Sequence, residues 1–350
     1  MIRFWAAWVV VACALAAGCA STSGTDRKAL SMQEFMVPSD PGIEVYVRNK
    51  HPAGMREFSP ERTVLFVHGA TYPAHSAFDL ELGGTSWMDY IARKGYDVYL
   101  IDLRGYGRST RPPQMSQDPK ANPAFATTQE VMRDVDAAVD FIRKRRGIDK
   151  VNLLAWSWGT AITQWYTSEK PHKVAKLALY APVWIRSTPS LVTAGAGPTP
   201  AYRVVDMSQA RARWLTGVAP EHQATLIPPG WFEAWAEATL KSDPEAARRN
   251  PPTIRAPNGV VADGLRYWGN NTIPWDPAKI TVPVLLVKGE WDVDTPAYMA
   301  QALFPKLTGA PYKRYVEIGG GTHTLVMERN RMALFETVQQ FLDERVVAGQ

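Results

Sequence analysis

Runs of apolar and β-branched residues recur along the chain at Glu44–Val47, Thr63–Val67, Asp97–Asp102, Val151–Ala155, Val174–Tyr180, Val282–Val287 and Lys313–Ile318. The central runs are continuous rather than alternating. This predicts strands of a parallel sheet covered on both faces. Between them the apolar positions change to helical spacing. Val131, Val135, Ala138 and Ile142 share one face of a helix predicted over Thr128–Arg145. Further helices are predicted over Thr85–Lys94, Trp158–Ser168, Pro296–Phe304 and Arg331–Val347. Strands alternating with helices build βαβ units with right-handed crossovers.

The alternation stops between Val183 and Ala278. Clusters of Pro and Gly (Gly195–Pro200, Pro228–Gly230, Pro251–Pro252) and short helical patterns fill this stretch. Compact domains do not carry structureless loops of that length. Residues 183–278 are therefore expected to form an inserted helical lid, and residues 41–182 and 279–350 the core.

The first residues follow another pattern. Arg3 precedes an apolar run, Phe4–Ala17, too short to span a bilayer and without basic residues on its far side. Residues 1–18 read as a signal peptide. The end of the run, Leu15-Ala16-Ala17-Gly18-Cys19, resembles the lipobox of bacterial lipoproteins, with Ala16 where that family usually has Leu. The resemblance implies lipidation of Cys19 and an exported protein anchored to a membrane. Ala20 after the cysteine implies an outer-membrane destination where the source has such a membrane. A plain secretory signal, giving a soluble periplasmic or secreted protein, is the alternative. Cys13 and Cys19 are the only cysteines, so a chain beginning at Cys19 holds no disulfide and relies on its core. Residues 19–40, opening with the polar stretch Ser21–Asp26, read as a tether.

Composition narrows the function. With 350 residues, 46% hydrophobic and 21% charged, the chain can bury a large core. The net charge of +5 is spread among interspersed acids and bases. The densest basic run, Arg143–Arg146, ends a predicted helix, where cations suit the helix dipole. No basic face for nucleic acid emerges. No His, Cys or Asp cluster has metal-ligand spacing, and no cofactor is implied. Gly105-Tyr106-Gly107 lacks the third glycine of a dinucleotide fingerprint, since Thr110 stands there.

The strongest chemical signal is Val151-Asn-Leu-Leu-Ala155-Trp-Ser157-Trp-Gly159, a buried strand running directly into a helix. Such a turn holds a serine in a tight backbone conformation with its hydroxyl above the sheet. The positions two before and two after must be small, and Ala155 and Gly159 occupy them. A helix-capping serine is the plainer alternative. A hydroxyl nucleophile needs a base. Of six histidines, His323 follows the last predicted strand in a glycine-rich loop, Gly319–Gly321. The carboxylate that orients it is sought in Gly289-Glu-Trp-Asp292-Val-Asp294-Thr-Pro296. Asp292 is the first choice; Asp294 is the second, with capping of the next helix as its alternative role.

These motifs, with Phe66-Val67-His68-Gly69-Ala70 and Ile101-Asp-Leu-Arg-Gly-Tyr-Gly-Arg-Ser109, resemble the α/β-hydrolase superfamily from about residue 40 onward. The order Ser157, Asp292, His323 is that family's. The resemblance implies a mostly parallel central sheet with helices on both faces and an inserted helical lid. It also implies an oxyanion hole from the backbone N–H groups of Ala70 and Trp158. The expected function is a serine hydrolase, a carboxylic-ester hydrolase first, acting on a small-molecule acyl substrate through an acyl-enzyme. A peptidase, amidase, thioesterase or carbon–carbon bond hydrolase on the same residues is the alternative, as is a surface-tethered binding protein without catalysis. Epoxide hydrolases and dehalogenases share the Asp102–Ser109 motif but use an Asp nucleophile, and Ser157 argues against both. Trp184, Trp214, Trp231, Trp235, Trp268 and Trp275 are expected either to line an apolar pocket or to pack the lid.

Overall fold

The computed structural model describes residues 29–192 and 197–345. The expected signal peptide of residues 1–18 and the expected lipidation site at Cys19 lie outside them. Among the described residues there are ten strands: β1 (Leu30–Pro38), β2 (Glu44–Pro52), β3 (Thr63–Val67), β4 (Asp97–Ile101), β5 (Val151–Trp156), β6 (Val174–Tyr180), β7 (Tyr202–Asp206), β8 (Thr253–Pro257), β9 (Val284–Gly289) and β10 (Lys313–Ile318). The α-helices are α1 (Ala74–Phe78), α2 (Trp87–Arg93), α3 (Thr128–Arg146), α4 (Trp158–Glu169), α5 (Met207–Trp214), α6 (Pro220–Leu226), α7 (Trp231–Lys241), α8 (Gly259–Arg266), α9 (Ala297–Leu303) and α10 (Arg331–Asp343).

Eight strands form one sheet in the order β1-β2-β4-β3-β5-β6-β9-β10. From β4 to β10 all neighbours run parallel, and the antiparallel β1 and β2 extend one edge. The continuous apolar strands divide their side chains between two cores. In β3, Leu65 and Val67 join the core under α3, α4 and α9. Val64 and Phe66 join the opposite core, under α1, α2 and α10. A strand buried on both faces needs apolar residues at every position, as the sequence pattern requires. Helix α3 begins with a capping box between Thr127 and Glu130 and ends at Gly147 in the left-handed conformation. Both ends are thus satisfied locally.

Three expectations change. Residues 30–38 of the expected tether form β1, paired along its whole length with β2. It is an edge strand whose Met32 and Met36 stay exposed, so its pattern does not resemble a buried strand. The insertion is not helical alone. Strands β7 and β8 pair antiparallel within it, although three helices separate them in sequence. Finally, α10 ends at Asp343 and β9 starts at Val284, one residue after Pro283, which has no N–H to give to a ladder.

Candidate active site

Ser157 stands between β5 and α4 with φ +57° and ψ −123°, a conformation that L side chains rarely adopt. The strain is held by neighbours that leave no room for relaxation. A Cβ on Gly159 would lie 2.5 Å from the Val67 carbonyl oxygen and 2.6 Å from that of His68. A Cβ on Gly69 would lie 2.9 Å from the Ser157 Cβ. Glycine at both positions lets β3 and its following turn press against the serine.

The His323 ring reaches this serine from the loop after β10. Its Nε2 is 2.8 Å from Ser157 Oγ, and its Nδ1 is 2.9 Å from Asp292 Oδ2. An ionised Asp292 can only accept, so Nδ1 carries the proton and Nε2 accepts from the serine hydroxyl. Asp292 is held in turn. Its Oδ1 accepts from the Thr295 N–H at 2.8 Å and its Oδ2 from Thr295 Oγ1 at 2.7 Å. The loop carrying His323 is pinned through its own carbonyl, which accepts from Trp156 Nε1 at 3.0 Å and Tyr180 Oη at 2.7 Å. The structure thus brings Ser157, His323 and Asp292 into one hydrogen-bonded chain.

Asp294 is elsewhere. Its carboxylate is buried and receives a two-bond ion pair from Arg213 of α5, at 3.1 Å from Nε and 3.0 Å from Nη2. Burial is the largest influence and raises its pKa, but Arg213, His323 and Arg186 together outweigh burial and hold the carboxyl below the usual range. It makes no hydrogen bond with His323 and does not cap α9, whose N-cap is Pro296. It ties the insertion to the strand end that carries Asp292.

Ala70 and Trp158 lie with Ser157 on the wall of a cavity of about 390 Å³. Trp158 opens α4, and a first-turn N–H has no acceptor within its own helix. The turn at Gly69-Ala70 is fixed by a residue that the sequence leaves without a role. Buried His68 accepts from the Leu103 N–H at its Nε2 (3.0 Å) and donates from Nδ1 to the Gly69 carbonyl (2.7 Å). Burial pulls its pKa down, so the ring is neutral and locked in one tautomer. The Asp102–Ser109 motif also has a local explanation. The Asp102 carboxylate accepts from the Ala74 and Arg108 N–H groups at 2.8 and 3.1 Å, and Gly107 at φ +51° passes where a Cβ would meet it.

A second, smaller pocket opens on Ser157 and His323 between Tyr72, Trp156, Trp214 and Trp235. The tryptophans of the insertion therefore divide. Trp214 and Trp235 line this pocket, and Trp268 lines the larger cavity. Trp184 and Trp275 pack with each other, and Trp275 stacks on Trp165 of α4. Trp231 lies against the Arg331 guanidinium at 4.5 Å.

Glu328 is another residue without a sequence signal. It is fully buried and accepts from Trp214 Nε1 at 2.8 Å, from the Thr322 N–H at 3.0 Å and from the Thr322 hydroxyl. It joins helix α5 of the insertion to the residue preceding His323. Burial without a cation pushes its carboxyl up to about 7. Among the described residues, no group of three or more His, Cys, Asp or Glu is placed to hold a metal ion.

A model of the alpha/beta hydrolase fold family matches residues 62–329. Among curated relatives, a poly(3-hydroxyalkanoate) polymerase subunit of Haloferax mediterranei is 28% identical over 164 residues. That match covers 46% of this chain but only 30% of the relative, so the chain spans under a third of that protein's length. Epoxide hydrolase 3 of Siraitia grosvenorii is 23% identical over 235 residues, 58% of this chain and 68% of the relative. Among solved structures, a serine hydrolase of the polyaromatic-hydrocarbon-degrading bacterium Cycloclasticus zankles superposes with a TM-score of 0.59 at 14% identity. The superposition covers 89% of this chain and 98% of that one, a likeness of fold. With the family match spanning most of the chain and the sheet order and crossovers in agreement, this protein belongs to the α/β-hydrolase fold family and is an α/β hydrolase.

Proposed function

We propose that the chain is a serine hydrolase that cleaves carboxylic esters through an acyl-enzyme on Ser157. The observation that carries the reading is the unbroken chain from Ser157 Oγ through His323 to a buried, doubly hydrogen-bonded Asp292. In the proposed cycle Ser157 Oγ attacks the ester carbonyl while His323 Nε2 takes its proton. Asp292 stabilises the imidazolium. The N–H groups of Ala70 and Trp158 receive the oxyanion, whose charge develops only in the transition state. His323 then protonates the departing alkoxide, and a water deprotonated by the same nitrogen releases the acid. The likeness to an epoxide hydrolase does not bring that activity with it, because the Asp nucleophile of those enzymes is replaced by Ser157.

We also propose that the mature protein is exported and anchored to a membrane through a lipid on Cys19. Each buried CH₂ adds about 0.8 kcal/mol to membrane affinity, so several acyl chains make release negligible. Among the described residues no helix is long and apolar enough to cross a membrane. Fluorophosphonate labelling of the wild type and Ser157→Ala, followed by a panel of esters, thioesters and anilides, tests the chemistry. Labelling confined to the wild type with esters as the fastest class is expected. Labelling without ester turnover moves the assignment to another acyl class, and no labelling removes the nucleophile. Cys19→Ser is expected to abolish incorporation of labelled fatty acid.

A further inference from the structure

The cavity of about 390 Å³ beside Ser157 is apolar over most of its wall, with Val183, Val260, Leu265, Trp268 and Met299 contributing. Its charged lining residues are Arg186, Arg213 and Asp294. Asp294 neutralises Arg213 through the two-bond ion pair. Arg213 Nη1 makes no hydrogen bond among the described residues, and Arg213 is part of the cavity wall. Arg186 has no carboxylate partner among the described residues. Its guanidinium rests on neutral acceptors only: the Pro189 carbonyl at 3.0 Å, the Thr188 hydroxyl at 3.2 Å and the backbone carbonyl of Asp294. Burial pulls its pKa down, yet a guanidinium stays charged at any ordinary pH. The wall of this largely apolar cavity thus carries one more guanidinium than carboxylate, on a half-buried Arg186 without a direct ion-pair partner among the described residues.

We propose that this cavity is a subsite for an acyl chain bearing a second carboxylate, and that Arg186, aided by Arg213, receives that carboxylate. The proposal rests on the serine-esterase reading and names the substrate class within it: monoesters of aliphatic dicarboxylic acids. One net positive charge matches a singly charged carboxylate better than a phosphate monoester approaching two negative charges. The apolar wall matches the methylene chain between the two acid groups. Arginine suits the task because its planar fork binds a carboxylate through two parallel N–H bonds.

The test compares p-nitrophenyl hydrogen adipate with p-nitrophenyl methyl adipate, which differ in that one charge. The wild type is expected to prefer the anionic ester by about tenfold or more in kcat/KM, the size of a charge-assisted hydrogen bond. In Arg186→Met the ratio should fall by roughly ten- to a hundredfold through KM, and Arg186→Lys should recover part of it. Monomethyl adipate should slow fluorophosphonate labelling of wild-type Ser157, a readout that needs no folded variant. A wild-type preference for the methyl ester, or no protection by monomethyl adipate, overturns the subsite. Equal protection by inorganic phosphate overturns its assignment to carboxylates. If Ser157 is labelled while the anionic ester is not preferred, the subsite fails and the serine-esterase reading stands. If neither labelling nor turnover occurs, that reading fails and the subsite with it.

Discussion

The sheet core and the inserted cap meet at Ser157 but are built on different terms. In the core, the reacting groups sit at the ends of parallel strands and on the short turns that follow them. Each is fixed by at least one hydrogen bond that involves the backbone, as Asp292 is by the Thr295 N–H and the His323 carbonyl by the Tyr180 hydroxyl. In the cap, helices and a two-stranded ladder expose residues such as Val204 and Leu265. The cap is held to the core by shared apolar packing, as of Trp275 against Trp165, and by polar ties such as Arg213 to Asp294 and Trp214 to Glu328. Ser157 and Asp292 follow strands paired on both sides, and His323, after edge strand β10, is held through the bonds of Trp156 and Tyr180 to its carbonyl. Cap residues that line the pockets without making these contacts can change without disturbing that geometry. Under the proposed function, the core sets the reaction and the cap sets what enters.

The largest expected effect breaks the comparison at its root. Ser157→Ala should lower ester turnover by roughly three or more decades, with residual rate from substrate binding and the oxyanion donors. Thermal unfolding should be little changed, because the turn accepts a small side chain. Near-normal turnover in this variant would transfer the chemistry away from the core strand end.

Two aspartates close in sequence separate the two regions next. Asp292→Asn should cost roughly three to four decades in kcat, since an amide cannot both accept the Nδ1 proton and stabilise the imidazolium. Asp294→Asn should act on the cap instead, through KM and stability, because it leaves Arg213 buried without its charge partner. Measuring kcat and KM for both variants checks this. A larger kcat loss for Asp294→Asn would erase the distinction.

The same division explains what could be read from the sequence. Core strands were legible because a doubly buried strand needs an unbroken apolar run; of the candidate site residues, Ser157 and Asp292 come after such strands, while His323 comes after the charged edge strand β10. Ser157, Asp292 and His323 each follow a predicted strand. Edge strand β1 was not legible, since half of its side chains face solvent. Nor were β7 and β8, whose pairing joins segments far apart in sequence with no turn between them to signal it. His68 and Glu328 act through partners that only the folded chain supplies: a backbone N–H of the next strand's turn for one, an indole from the cap for the other. A Glu following Leu325-Val326-Met327 carries no local mark of that role.

Glu328 gives a smaller effect on which the two regions can be compared. Its folded pKa of about 7 lies above the unfolded value near 4.5, so the folded state binds the extra proton between those pH values. The stabilisation it contributes is complete below about pH 4.5 and is lost as pH rises through about 7, a swing of roughly 3 kcal/mol. Buried His68 works in the opposite direction, because its lowered pKa favours the fold as pH rises toward 6.5. Comparing wild type with Glu328→Gln removes the His68 contribution. The difference in unfolding free energy between them should change by roughly 3 kcal/mol from pH 4.5 to 8, with the variant gaining relative to the wild type as pH rises. A difference independent of pH would mean that Glu328 ionises as freely as an exposed carboxylate.

The smallest effect tests the cap alone. Leu265 on α8 is 67% exposed and lies on the rim of the larger cavity. An exposed leucine contributes little to folding, so Leu265→Ser should move unfolding free energy by no more than about 0.5 kcal/mol. An acyl chain crossing the rim would cover that side chain. Each methylene group shielded from water is worth about 0.8 kcal/mol, a factor of roughly four in affinity. Leu265→Ser should therefore raise KM about three- to tenfold for long acyl esters while p-nitrophenyl acetate, which ends short of the rim, is turned over as before. If KM for acetate and long-chain esters rose together, the cap would be shaping the reacting centre as well as the entrance, and the separation of reaction from selection between the two regions would not hold.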